Sequence, residues 1–274
     1  MNLYPDIGEL GWSLYLYGYL NKKWEDGDRD FSVVTLKDRR SIFDNIGCQV
    51  FYTNLTDRLR NAAQDGFGLF GIPDSELREY FNTCGHAGEQ IAPEFRFGCH
   101  RFFDGKMKFK PLKVEISIPV NRILIFPRKR TSQHHSFRNL NKSFYVELIK
   151  QLCAKYTNHL VESIGVPGGA YEIGEKNMPL NFRDLVGNIT TIQTLIDICS
   201  TASVAIGGTS APPKISMLQG VPTFLLGHEK RRFMVDDNWM RTKAGFYEFG
   251  KDEYQSFNES EAIEAVLKFV KDVI

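Results

Sequence analysis

Val204-Ala205-Ile206-Gly207-Gly208-Thr209-Ser210-Ala211-Pro212-Pro213-Lys214 is the stretch on which the reading of this chain turns. Three apolar residues form a short buried strand, two glycines break it, two hydroxyls follow, and a helix begins. Glycines let a backbone approach a ligand closely. The free amides and positive dipole end of a helix start favour an anion there. Thr209 and Ser210 can donate hydroxyl hydrogens, and Lys214 sits one turn in, within reach of a pyrophosphate. Pro212 and Pro213 have no N–H, so two first-turn donors are missing and the site depends on Thr209, Ser210, the Ala211 amide and Lys214. A plain strand-to-helix turn capped by Ser210 explains the same residue types. On residue types alone, both readings stand.

Outward from this turn the pattern is α/β. Downstream, a short helix closes at Gly220 and Thr223 to Leu226 forms another strand. Asn258 and Glu261 have capping-box spacing for a terminal helix with Ile263, Val266, Leu267 and Val270 on its apolar side. Upstream, Thr190 and Gln193 have the same spacing and begin a helix that turns Ile192, Leu195, Ile196 and Cys199 inward. Ile123 to Phe126 is a continuous apolar run, as expected of a strand covered on both faces. The basic loop Pro127-Arg128-Lys129-Arg130 ends it. Ser143 is placed to cap a helix carrying Phe144, Leu148, Leu152 and Tyr156 at helical spacing. A strand at Leu160 to Ile164 stops at Gly165-Val166-Pro167-Gly168-Gly169. Arg128, Lys129 and Arg130 follow a buried strand, where open α/β sheets bind ligands, so a phosphate contact is expected from at least one of them.

The front half is less regular. A glycine turn precedes a helix with Leu10, Leu14 and Tyr17 on one face. Strands are expected at Phe31 to Leu36 and Gln49 to Tyr52, with a helix near Ser41 to Ile46. Between about 56 and 112 the regularity fades, although Phe67, Phe70, Tyr80, Phe81, Phe95, Phe97, Phe102, Phe103 and Phe109 argue against plain disorder. The chain therefore divides near Pro119-Val120. Residues 1–120 form an N-terminal α/β domain with an aromatic-rich insertion, and residues 121–274 a C-terminal α/β domain whose terminal helix is expected to pack back on the first.

Composition excludes several classes. The formal net charge is +1 over 274 residues, so no global field attracts nucleic acid or an acidic membrane. The N-terminus lacks a secretory signal, and no run approaches the ~18 apolar residues of a membrane span. Five scattered cysteines read as reduced thiols, which suggests a cytoplasmic protein, with peripheral attachment to a membrane left open. There is no Gly-x-Ser-x-Gly elbow, Walker loop or Gly-x-Gly-x-x-Gly fingerprint.

Several elements in order resemble the ADP-heptose-type glycosyltransferase family. In that family an apolar strand runs into Gly-Asp-Ser/Thr-Gly, then a His, a small-residue helix, Gly-Val-Pro and another strand. Here Gly208-Thr209-Ser210-Ala211-Pro212-Pro213-Lys214 precedes Ile215-Ser216-Met217-Leu218-Gln219-Gly220-Val221-Pro222-Thr223. Leu185-Val186-Gly187-Asn188-Ile189-Thr190-Thr191 is similar to the family segment near the nucleotide base and ribose, which implies that role for Asn188, Ile189, Thr190 and Thr191. Gly8-Glu9-Leu10-Gly11 is similar to the family's first-loop Gly-Asp, which implies Glu9 as general base for an acceptor hydroxyl. Thr209 stands where the family has Asp, and Lys214 where it has His. Both changes make the site less acidic.

The resemblance covers residues 121 to 227 at useful specificity. It implies a compact GT-B-type protein, two Rossmann-like domains facing each other across a cleft, that moves a sugar from a nucleotide-sugar donor to an acceptor hydroxyl. The acceptor classes are a glycan, a lipid-linked saccharide or a modified nucleic acid. No cofactor and no metal are expected. A sugar-nucleotide epimerase and a non-catalytic nucleotide-binding module remain open. Cys84, His86, Cys99 and His100 lack the paired spacing of zinc frameworks. His134-His135 and Lys230-Arg231-Arg232 read as exposed loop and solvated face.

Overall fold

Strand pairing divides the protein into two parallel sheets, each within one of two units, Met1–Lys113 and Val114–Ile274. The computed structural model describes residues 2–6, 10–53, 90–91, 107–116, 120–129, 139–189, 191–228, 242–249 and 258–274. Pro119, at the boundary expected from sequence, lies outside them.

The first sheet contains β1 (Asn2–Asp6), β2 (Phe31–Leu36), β3 (Gln49–Thr53) and β4 (Gln90–Ile91), in the order β3-β2-β1-β4. All its pairings are parallel, with Asp6 opposite Thr35. Helix α1 (Leu10–Glu25) connects β1 to β2 and buries Leu14, Tyr17 and Leu20. A 3-10 turn at Lys37–Arg39 leads into α2 (Arg40–Phe43), which buries Ile42 and Phe43. The sequence reading missed β1, because Pro5 and Asp6 interrupt a run that otherwise looks like a strand. In the structure, β1 is central and Leu3 and Tyr4 are fully buried.

Phe109 was grouped with the aromatics of the irregular insertion, and the structure corrects this. It is buried against α1 at Gly18, where an added Cβ would come within 2.5 Å of its ring. The Lys108 amide donates to the Gly18 carbonyl at 2.8 Å, so this segment is part of the first unit's core. The other aromatics of the insertion lie outside the described residues.

The second sheet contains β5 (Arg122–Phe126), β6 (Leu160–Ser163), β7 (Phe182–Asp184), β8 (Val204–Gly208), β9 (Thr223–Gly227) and β10 (Ala244–Glu248). Its order is β10-β9-β8-β5-β6-β7, again all parallel. Counted from β5, this is the doubly wound order 3-2-1-4-5-6, which reverses direction between β5 and β8. β7 and β10 were not foreseen; both are edge strands, short or half-exposed, with little apolar periodicity.

Helix α3 (Lys142–Lys155) begins earlier than expected. Asn141, not Ser143, occupies the cap position, and it makes no side-chain cap bond. Helix α4 (Ile192–Ser200) is capped by Thr191, whose hydroxyl accepts from the Thr194 amide at 3.1 Å. Gln193 donates from its side-chain amide to Asp197 Oδ1 at 2.8 Å, and Thr190 lies outside the described residues. Helix α5 (Ala211–Leu218) ends before Gly220, which has a φ of 79° and needs no Cβ there. Helix α6 (Glu259–Lys271) is capped by Asn258, whose side chain accepts from the Glu261 amide at 3.2 Å. Its Ala262, Ile263, Val266, Phe269 and Val270 belong to the core built from β5, β8, β9 and α3.

Cys48, Cys153 and Cys199 are free thiols, and burial pushes them up to about 11, 11 and 12. Thiols held protonated in this way are poor nucleophiles. No helix among the described residues is long and apolar enough to cross a membrane.

Candidate functional site

The reversal of strand order opens the second sheet between the carboxyl ends of β5 and β8, where doubly wound sheets bind ligands. Phe126 pairs with Gly207 across this point. Arg128 follows β5 and is only 6% exposed. Its Nη1 donates to the Asn139 Oδ1 at 2.7 Å, and its backbone forms an isolated bridge to Ala170. A Cβ built on Gly208 would rest 3.7 Å from the Arg128 Cδ. The aliphatic stem of Arg128 thus lies over Gly208, which joins two expected site residues that are eighty positions apart in sequence.

Gly207 has a different role from the one expected. An added Cβ would meet Phe126 at 2.8 Å and Pro213 at 2.9 Å. The close approach that it permits is between parts of the protein. Gly208, with only ordinary contacts, is the glycine that leaves room.

At the start of α5, Ser210 holds the cap position but makes no side-chain cap bond. An N-cap side chain accepts from the amide of the second or third helical residue. In α5 those residues are Pro212 and Pro213, so the bond is chemically unavailable. The plain-cap reading of Ser210 therefore fails. Its hydroxyl makes one long hydrogen bond, 3.4 Å to the Gly208 carbonyl. Ala211 contributes the remaining first-turn amide of the helix.

Thr209 is 2% exposed, and its methyl fills the space beside Gly227, where an added Cβ would stand 2.5 Å away. Its side chain is thus turned toward β9. Lys214 is buried in α5 and also engaged within the protein. Lys129 places its ammonium 5.7 Å from the centre of the Tyr171 ring, and its amide donates to the Gly169 carbonyl at 2.9 Å.

The residues expected near the base and ribose occupy the link from β7 to α4. Asn188 is exposed, Ile189 is buried, and Thr191 caps α4. Gly187 enters this link with φ 88°, its amide donating to the Gly165 carbonyl at 2.9 Å. β7 stands three strands from β8, roughly 14 Å at ~4.8 Å per strand. The two expected subsites thus lie along one edge of the same sheet.

Glu9, Arg130, Thr190, the His134-His135 pair and Cys84, His86, Cys99 and His100 lie outside the described residues. Among the described residues, no group of three or more His, Cys, Asp and Glu side chains gathers as metal ligands would.

Two residues at this edge were missed. Asn139 orients Arg128, and nothing in the local sequence marks that role. His228 directly follows β9, is 6% exposed, and neighbours the Gly227 on which Thr209 packs. The rule that singled out Arg128, a basic or imidazole side chain just past a buried strand, would also have found His228.

No protein-family model matches the sequence, and no curated protein matches it. Solved structures do match the fold. A glycosyl transferase of family 9 from Veillonella parvula superposes with a TM-score of 0.66 at 10% identity, covering 98% of this chain and 97% of its own. The heptosyltransferase WaaC from E. coli, solved with ADP, gives 0.56 at 9% identity over 99% and 97%. The dodecameric iron-containing heptosyltransferase TibC, in complex with ADP-D-beta-D-heptose, gives 0.52 at 14% identity over 99% and 76%. The chain thus has the fold of GT-B glycosyltransferases, as its sequence pattern implied.

Proposed function

We propose that this protein is a glycosyltransferase that moves a sugar from a nucleotide-sugar donor to an acceptor hydroxyl on a glycan or lipid-linked saccharide. The observation that carries the reading is the β5–β8 edge. The stem of a buried arginine, its guanidinium held by Asn139, lies over Gly208 beside a helix start whose serine cannot act as a cap. Diphosphate oxygens would take the Ser210 hydroxyl, the Ala211 amide and the Arg128 guanidinium. Lys214 would add charge one turn into α5. Charge-assisted bonds of this kind stabilise a leaving diphosphate as negative charge develops on it. Glu9, by its place in the sequence, is the base that takes the acceptor proton. Neighbours solved with ADP and with an ADP-heptose support an adenosine diphosphate donor.

A thermal-shift panel of ADP-, UDP- and GDP-linked sugars tests the reading, followed by calorimetry with ADP. Stabilisation by one nucleotide class, lost in Lys214→Ala, is the expected result. No shift with any nucleotide, or a shift unchanged in Lys214→Ala and Arg128→Ala, would overturn the site. Turnover of the bound donor to an isomeric sugar nucleotide without an acceptor would identify an epimerase instead.

A further inference from the structure

Asp184 ends β7, and three hydrogen-bond donors converge on its carboxylate. The fully buried Ser163 hydroxyl donates to Oδ1 at 2.5 Å, the Val186 amide to the same oxygen at 3.2 Å, and the Gly174 amide to Oδ2 at 2.7 Å. The Asp184 amide in turn donates to the Glu175 Oε1 at 3.2 Å. One residue thus ties together the end of β6, the connection from β6 to β7, and the link from β7 to α4. Bonds to an ionised acceptor are about twice as strong as neutral ones, so the carboxylate is a firm clasp.

The same connection reaches the cationic end of the sheet. The Lys129 amide donates to the Gly169 carbonyl at 2.9 Å and the Tyr171 amide to the Pro127 carbonyl at 2.7 Å, so residues 169–171 lie along the chain that carries Arg128. Residues 174 and 175 close on Asp184. A diphosphate held at Arg128 therefore has this connection, and then the β7–α4 link, beside it at the carboxyl edge of the sheet. Their surfaces suit a nucleoside. Val166 is 60% exposed, an apolar side chain of the kind that lines a small-molecule site. Asn188 is also exposed, and its amide can both donate and accept, as the polar edge of a base requires. The turns that carry them are joined, because the Gly187 amide donates to the Gly165 carbonyl at 2.9 Å. Val186, whose amide Asp184 holds, stands one residue before that joint.

We infer that Asp184 is a positioning residue for donor selection, whose carboxylate fixes the 185–189 turn against the β6–β7 connection so that Asn188 and Val166 meet the nucleoside base in one geometry. The inference rests on the proposed sugar-transfer reading. Asp184 itself touches neither the nucleotide nor the acceptor. A turn that is ordered before the ligand arrives costs less to order on binding, and the gain goes to the base that fits it. Asp184 governs base preference rather than the hold on the diphosphate.

The test is Asp184→Asn. An amide offers one acceptor where the carboxylate offers two, so its N–H must face either the Gly174 or the Val186 amide, and one bond of the clasp is lost. Calorimetry on the full chain with ADP, UDP and GDP gives the affinity for each, and melting gives Tm. The expected result is a loss of about ten-fold for the preferred nucleotide and about two-fold or less for the others, so that the preference collapses. Arg128→Ala should instead weaken all three alike and keep the preference. A purely structural role for Asp184 would weaken all three in proportion as Tm falls. Ser163→Ala removes the buried hydroxyl and should lower the preference in the same direction by a smaller factor; it carries the test if Asp184→Asn fails to fold. A preference unchanged in both variants, an equal loss for all three nucleotides, or a preference lost as fully in Arg128→Ala would overturn the inference and leave the sugar-transfer reading intact. So would a wild type that binds the three equally well. A wild type that binds no nucleotide would overturn that reading, and this inference with it.

Discussion

In the first unit the central strand β1 ends on a buried carboxylate, Asp6, held by the Ser13 and Thr35 hydroxyls and Arg39; in the second, β5 leads into a buried guanidinium, Arg128, held by the Asn139 amide. Both strands are parallel and internal, and both lie where their sheet reverses direction. The fold offers the same place twice, and the sequence fills it with opposite charges. A cationic edge suits a diphosphate. An acidic one suits the partner that must lose a proton. The comparison shows how a chain with a net charge of only +1 can still carry locally opposed charges, sorted by location.

The comparison breaks most visibly at Glu9. If the acidic side supplies the base, Glu9→Gln should lower transfer by about 10²–10⁴-fold, the usual contribution of a general base. ADP affinity should stay within two-fold. Assays of transfer beside calorimetry decide it; retained transfer would remove Glu9 from the mechanism.

On the cationic side the expected effect is smaller and appears in binding. Lys214→Met keeps the aliphatic stem and removes the charge. Loss of one charge-assisted contact, ~1.5–3 kcal/mol, should weaken ADP roughly ten- to a hundred-fold. Asn139→Ala should follow the same direction with a lesser loss, because it frees the Arg128 guanidinium without deleting it. An unchanged ADP affinity in Lys214→Met would leave the helix start without a ligand role.

These effects differ in how far the sequence announced them. The strand-glycine-helix pattern at 204–214 was legible because a buried parallel strand is a solid apolar run and its turn is written in Gly, Ser and Pro. The helix faces of α4 and α6 were legible for the same reason, through periodicity. What was missed depends on contacts between distant residues. β1 is central, yet Pro5 and Asp6 disguise it. The cap of α4 falls on Thr191, one residue from the expected Thr190, because either threonine can offer its hydroxyl and the box spacing to Gln193 favoured the wrong one. Asn139 and Ser13 show their roles only when strands eleven and seven positions away are placed beside them. Phe109 looked like part of the irregular insertion because composition cannot tell an aromatic in a core from one in a loop.

Two glycines sharpen the comparison at the level of stability. Gly18→Ala would push on the buried Phe109 ring at 2.5 Å, and Gly207→Ala on Phe126 and Pro213 at 2.8 and 2.9 Å. Each should cost about 1–3 kcal/mol, as overpacked cores do, visible as a lower denaturation midpoint. Only Gly207→Ala should also weaken ADP, because Pro213 belongs to the first turn of α5. Equal ADP loss in both would mean that the two units do not divide the work as proposed.

The smallest effect concerns sign. In the first unit, hydrogen bonds from Lys108 and Lys110 hold the solvent-facing Glu25 below the usual carboxylate range, whereas burial holds Asp6 above it despite Arg39, Thr35 and Ser13. A lowered carboxylate contributes stability above its unfolded value of ~4.3, and that contribution is lost as pH falls through the folded value. A raised one contributes at low pH and loses its contribution as pH rises through the folded value. Glu25→Gln should therefore lower Tm only slightly at pH 7, on the order of 1–2 °C, with the difference closing in acid and in high salt. Asp6→Asn should behave the opposite way, its Tm relative to wild type rising with pH. Parallel melting curves from pH 3 to 8 would show the two differences changing in opposite directions. If both changed together, the hydrogen bonds and Arg39 would outweigh burial at Asp6, and its carboxylate would be held below the usual range as that of Glu25 is.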